Sequence, residues 1–253
     1  MLGAIFGDKA GSIYEYNQTK SVQPINIEKI DLTDSFYSDD TIETIAVMDA
    51  IINNRDYGEA LRQYILDYED YLPHYKPYFK TSFSPNAVLW AKGQGCSSSI
   101  GNGAMMRISP VGFMLDSEEE VIKQSKLVTI PSHNSIEAID CATTIALMIF
   151  YFRNGLDREK VYKKLELPIE YKPFSRFNST CGETIGNCLY AIYHSESFED
   201  AIIRVLSMGG DTDTNSCIVG AVAEAMYGMS FEQKELAKNG LPPEFISIIE
   251  NVY

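Results

Sequence analysis

Basic side chains are scarce in this sequence: 21 Lys and Arg stand against 35 Asp and Glu, a formal charge of −14. A surface of that sign repels polyanions, which argues against general nucleic-acid binding and against docking on an anionic membrane. Cysteine is sparse as well. The five (Cys96, Cys141, Cys181, Cys188, Cys217) form no CxxC, and the step of seven from Cys181 to Cys188 is no metal-ligand spacing. They read as reduced thiols of a cytoplasmic protein. The apolar run over 145–152 is too short to cross a bilayer. The opening MLGAIFGDKAGS has no basic leader and is broken by glycine and charge, so no signal peptide is expected. No repeat, low-complexity tail or sustained apolar–polar alternation is found either, which leaves little room for a sheet.

What is present is helical periodicity. Segment 40–52 sets most of its apolar residues on one broad face, and 135–152 turns apolar on all sides after Cys141, as a central helix does. Segment 214–228 is rich in small residues that let helices approach closely. Helix starts recur. Ser117 precedes three glutamates ahead of 118–129, Thr180 with Glu183 and Ser230 with Gln233 have capping-box spacing, and Asp157 and Ser197 suit caps. Proline and glycine gather in 72–103, which reads as irregular, and proline recurs in 167–179; a loop as long as the first is usually functional or mobile. With 45% apolar residues the chain can bury a core. The expectation is an all-α, single-domain layered helical bundle over residues 1–253.

Two acidic stretches open helices far apart in the chain. One is Ser38-Asp39-Asp40-Thr41, the other Gly209-Gly210-Asp211-Thr212-Asp213-Thr214. Capping alone accounts for either one taken singly. Each, however, crowds two carboxylates where one cap needs one side chain, and such crowding is unfavourable without a cation. Hydroxyls and carboxylates, with no Cys or His, suit a hard ion such as Mg²⁺ rather than Zn²⁺. If the two stretches meet, they can hold a pair of ions.

Residues 101–112, GNGAMMRISPVG, form a glycine-rich loop opening a helix. Such a loop can offer backbone N–H groups to an anion, although an ordinary glycine turn is the simpler reading. It matches neither a dinucleotide fingerprint nor a Walker loop. Arg107 reads as one half of a structural ion pair, and His133 as a cap or surface residue. Asp8 and Glu15, seven apart, project to one side of a helix. His74 and His194 have no recognisable context.

Taken together and in order, GAIFGDKAGSIYE (3–15), YSDDTIETIAVMDAI (37–51), GNGAMMRISPVG (101–112), SHNSIEAI (132–139) and GGDTDTNSCIVGAVAEAMYG (209–228) resemble the ADP-ribosylglycohydrolase family. The resemblance implies an orthogonal all-α bundle with a cleft. At its base, Ser38, Asp39, Asp40, Asp211, Asp213 and Thr214 would ligate two Mg²⁺. Gly101, Asn102, Gly103, Ala104, Met105 and Met106 would wrap a pyrophosphate and ribose, with His133 near the distal ribose. Glu15, Asp39 and Asp40 would carry the catalytic work, Glu15 in an acid–base or gating role. The implied activity is hydrolysis of the N- or O-glycosidic bond between ADP-ribose and a protein or small-molecule acceptor. The alternatives are a two-metal hydrolase of another nucleotide or phosphoester, and a non-catalytic ADP-ribose binder or structural relative. Three departures stand out: Met105 in place of a smaller residue, Lys9 in place of an apolar one, and a short stretch between 155 and 180.

Overall fold

The computed structural model describes residues 1–71, 81–170 and 172–252. His74 and the first part of the 72–103 segment lie outside them. In chain order the helices are α1 (Leu2–Lys20), α2 (Asp39–Ile52), α3 (Tyr57–Asp67), α4 (Pro85–Ala91), α5 (Gly103–Met106), α6 (Ser109–Met114) and α7 (Glu118–Thr129). There follow α8 (Ile136–Arg153), α9 (Arg158–Lys164), α10 (Cys181–His194), α11 (Phe198–Ser207), α12 (Thr212–Tyr227), α13 (Phe231–Lys238) and α14 (Pro243–Glu250). Among the described residues there is no strand; two isolated antiparallel bridges, Ser98 with His133 and Gly101 with Thr180, are the only extended pairings. The fold is all-α, as the periodicity indicates.

Ser117, Asp157, Thr180, Ser197 and Ser230 cap where the sequence puts them, whereas α8 is capped by Ser135 and not by His133; each of the six accepts from the backbone N–H three residues on. Each such bond is worth about 1 kcal/mol. Ser230 and Gln233 close a full capping box. At Thr180 the reciprocal arm runs from its hydroxyl to Glu183 Oε2 instead, at 3.1 Å. One expectation is corrected. The supposedly irregular 72–103 stretch contains α4, where Pro85 begins a helix behind a Ser84 cap rather than breaking one.

The central packing is between α1 and α12, which run antiparallel and nearly touch backbone to backbone. Gly3 faces Gly220, Gly7 faces Ser216 and Gly11 faces Thr212; a methyl group added at Gly3, Gly7 or Gly11 would overlap the opposing carbonyl. The spacing of four on both helices is what aligns these rungs. Thr212 Oγ1 donates to Gly11 O at 2.8 Å across the seam. Lys9 also leaves the apolar interior satisfied: its Nζ donates to Leu236 O and Asn239 O, tying α1 to α13.

Around this pair, α8 is buried along most of its length and touches α5, α6, α7, α10 and α12. Segment 40–52 is enclosed more completely than an amphipathic helix. Asp40 through Ala50 of α2 are all buried, so its polar residues must be bonded inside the protein. Tyr37, one residue before α2's Ser38 cap, stacks on Tyr71 with ring centroids 4.5 Å apart and meets Phe245 edge-on at 5.9 Å. That aromatic anchor fixes where α2 begins.

Candidate metal centre and cleft

Three helix segments converge. On α1, Asp8 and Ser12 face the chain that leads into α2. Phe36 N donates to Ser12 Oγ, and the Asp8 carboxylate accepts from Ser38 N (2.9 Å), Ser38 Oγ (2.8 Å), Thr41 N (3.1 Å) and Thr41 Oγ1. Asp8 therefore caps α2 from another helix. The start of α12 is held just as firmly. Gly209 and Gly210 take φ of 72° and 80°, a region open mainly to glycine. Asp211 N then donates to Asn178 Oδ1 at 2.8 Å, while Asn178 Nδ2 bonds Thr184 and Asn215.

The two acidic turns meet. Thr214 Oγ1 donates to Asp40 Oδ2 at 3.4 Å, and Ser38 Oγ, whose one proton is shared with Asp8, lies 3.0 Å from the same oxygen. Asp8, Asp40 and Asp213 each offer an oxygen within 4.8 Å of the others, and so do Glu15, Asp211 and Asp213. Asp213 belongs to both groups. Ser38, Asp39, Asp40, Asp211, Asp213, Thr214 and Glu15 all line one cleft of about 660 Å³.

Its electrostatics suit a cation. Burial, followed by the nearby Asp213, pushes the Asp8 carboxyl up to about 6. Burial raises Asp39, Asp40 and Asp211 well above the carboxylate range, reinforced by Glu43 at Asp39 and by Asp213 at the other two. Asp40 Oδ1 is buried and has no hydrogen-bond partner. An orphaned carboxylate oxygen among like charges fits a bound cation, and an all-oxygen donor set fits a hard one.

The 101–106 segment is placed less uniformly. Gly101, Asn102, Gly103 and Met106 line the cleft, whereas Ala104 and Met105 are buried in the core. Met105 therefore does not narrow the loop. Gly101 N is bonded to Ser99 Oγ, Asn102 N to Ser179 O, and Met105 N and Met106 N to Asn102 O. The loop thus presents fewer backbone donors to an anion than its glycines promise. Asn102 Nδ2 donates to Asp211 Oδ2 at 2.7 Å, so this side chain steadies the second acidic turn.

Arg107 forms the expected ion pair, with Glu43, and both are buried. His133 does not cap α8, since Ser135 does that; it is partly buried and lines the cleft. Asn178 was not singled out from sequence, and Asp8 was paired there only with Glu15. Asn178 lies in a Pro- and Ser-rich stretch with nothing to mark it. Asp8 was recognisable by its step of seven to Glu15, although not as the cap of a helix 30 residues on. Phe83, Trp90 and Phe177 form apolar walls.

The family model described as ADP-ribosylglycohydrolase matches residues 1–251. ADP-ribosylarginine hydrolase Tri1 of Pseudomonas putida (strain GB-1) is 27% identical over 168 residues, 59% of this chain and 42% of the relative. The match to a second Tri1, of Serratia proteamaculans, spans 40% of that protein, so the chain covers less than half the length of either. ADP-ribosylhydrolase ARH3 of Mus musculus is 24% identical over 309 residues, 90% of this chain and 83% of the relative. Among solved structures, an ADP-ribosylglycohydrolase-related protein complex shares the fold with a TM-score of 0.66 at 17% identity, covering 93% of this chain and 94% of that one.

Proposed function

Since the chain belongs to the ADP-ribosylglycohydrolase family, we propose that it is a Mg²⁺-dependent hydrolase that cuts the glycosidic bond between C1″ of ADP-ribose and an acceptor. The observation that carries this reading is the meeting of Asp40 with Thr214, around a carboxylate oxygen with no partner. Ser38, Asp39, Asp40, Asp211, Asp213 and Thr214 would hold two ions, with Asp8 behind them and Asp213 between. Mg²⁺ held there would orient ribose hydroxyls and make a water more acidic.

The chain's own groups do the rest. Water oxygen bonds to C1″ as the bond to the acceptor breaks, through an oxocarbenium-like state. The acceptor atom keeps the bonding pair and takes a proton. Glu15, partly buried at the cleft beside Asp211 and Asp213, is in reach to deliver that proton or to accept the water's. Phe83, Trp90 and Phe177 exclude bulk water from one side of the substrate. Gly101 and Gly103 leave space for the diphosphate and ribose, and His133 offers a polar edge beneath them.

The test is incubation with ADP-ribosylated arginine, serine and small-molecule acceptors, with and without chelator. Free ADP-ribose, released only when Mg²⁺ is present and without inorganic phosphate, is the expected product. Phosphate release, or turnover indifferent to chelator, would overturn the reading.

A further inference from the structure

Beneath Gly101 and Gly103 lies a polar system that the acidic turns do not use. Arg107 is 1% exposed. Its Nη1 pairs with Glu43 Oε2 at 2.5 Å, and its Nη2 donates to Ser132 Oγ at 2.6 Å and approaches His133 Nδ1 at 3.4 Å. Ser132 Oγ lies 2.7 Å from the same Nδ1. A guanidinium has donors and no acceptor. Ser132 Oγ therefore accepts from Arg107, and toward His133 Nδ1 it can either donate its own proton or accept one. Arg107 Nη2, which also donates to Val128 O at 3.4 Å, can only donate, so a proton on Nδ1 would point at the guanidinium; a bare Nδ1 is the form that satisfies both contacts. Nε2 faces the other way: a Cβ at Gly101 or Gly103 would sit 3.4 or 3.6 Å from it.

We propose that Arg107 and Ser132 are positioning residues that fix His133 as the neutral Nε2–H tautomer, a donor aimed at an oxygen of the molecule seated against Gly101 and Gly103. The identity of that molecule as ADP-ribose rests on the proposed function; the tautomer does not. Burial, and then the Arg107 charge, pushes the His133 imidazolium well below its ordinary range, in agreement with a ring that stays neutral. Glu43 offsets Arg107 from α2 and holds the guanidinium in place. The cleft thus gains a directional donor without adding a charge that varies with pH. Glycine at 101 and 103 keeps that donor uncovered.

Long-range ¹H–¹⁵N spectra of labelled protein read the tautomer directly. From about pH 5 to 8, where a free imidazole titrates, His133 is expected to stay neutral with its proton on Nε2. Ser132→Ala is expected to let the Nδ1–H form appear, and Ser132→Thr, which keeps the hydroxyl, to restore the single form. Arg107→Met strands Glu43 in the interior and can fail to fold. The double variant Glu43→Met/Arg107→Met removes both charges, and there too the tautomers are expected to mix. A parental His133 that is doubly protonated near pH 6, or that carries its proton on Nδ1, overturns the proposal. So does a tautomer unchanged in both Ser132→Ala and the double variant. Added ADP-ribose is expected to move the Nε2 resonance. If it does not while the tautomer behaves as stated, the substrate reading fails and the positioning role is supported.

Discussion

One carboxylate oxygen of Asp40 is bonded to Ser38 and Thr214; the other is buried without a partner. Asp213 lies against both candidate ligand groups, so it is the side chain whose charge matters most. Asp213→Asn is expected to lower turnover by about two orders of magnitude or more, through loss of a shared ligand. Helical content by circular dichroism should be unchanged, and without metal the variant should melt no lower than the parent, because a repulsion has gone. A variant with parental turnover would remove Asp213 from the site. His133 supports a second expectation. Its folded-state pKa is depressed, so below its ordinary 6.5 the unfolded chain takes up a proton that the folded protein refuses. Stability from this group is present above about 6.5 and falls with acid, by up to about 1.4 kcal/mol per pH unit. Asp8, raised to about 6, acts in the opposite sense, so the comparison is with His133→Gln in denaturant melts. The stability difference between the two proteins should move against the parent as pH drops from about 7.5 to about 5, and a flat difference would contradict a neutral ring. At this scale the ligand-type residues and the Arg107 ion pair were legible. The roles of Asp8, Asn102 and Asn178 were not, because each acts through a partner distant in sequence.

Helix α1 reaches α12 through glycine, and that closeness sets the distance between their polar ends. Gly7→Ala would force a methyl group into Ser216 O. A loss of about 1–3 kcal/mol is expected, together with weaker metal binding, since Asp8 and Asp213 would be levered apart. Gly186, in the interior of α10, has open space where its Cβ would be. Gly186→Ala should therefore gain about 0.5–1 kcal/mol. Thermal melts of the two variants check both signs; a neutral Gly7→Ala would mean that the seam is looser than its geometry. Most helices were legible from their caps, whose chemistry is local. The α4 helix was not, because Pro85, after Ser82 and Ser84, looks the same whether it starts a helix or interrupts one. The rungs Gly3, Gly7 and Gly11 are plain in the sequence, but their meaning depends on Thr212, Ser216 and Gly220 opposite them.

The whole molecule carries a charge of −14 and gathers part of it in one buried place. An ion bound only by the folded protein stabilises it by about 2.7 kcal/mol at a hundred times its dissociation constant. For a chain of this size, that lifts the melting temperature by roughly 5–10 °C. Magnesium is expected to produce this rise and chelator to abolish it; a melt indifferent to both would empty the site of its proposed ions. The all-α class and the ordered motifs could be read from the sequence. That residues near 40 and near 212 meet was implied by the family resemblance alone, because periodicity does not encode which helices are neighbours. The antiparallel seam of α1 and α12 has a consequence in time. During synthesis α1 leaves the ribosome before α12, and its glycine face stays bare until residues 212–227 follow. Asp8 and Asp213 cannot come together before then, so the proposed ion site is assembled only once both helices are made. An ion captured at that stage should slow unfolding of the finished protein and leave the rate of refolding nearly untouched.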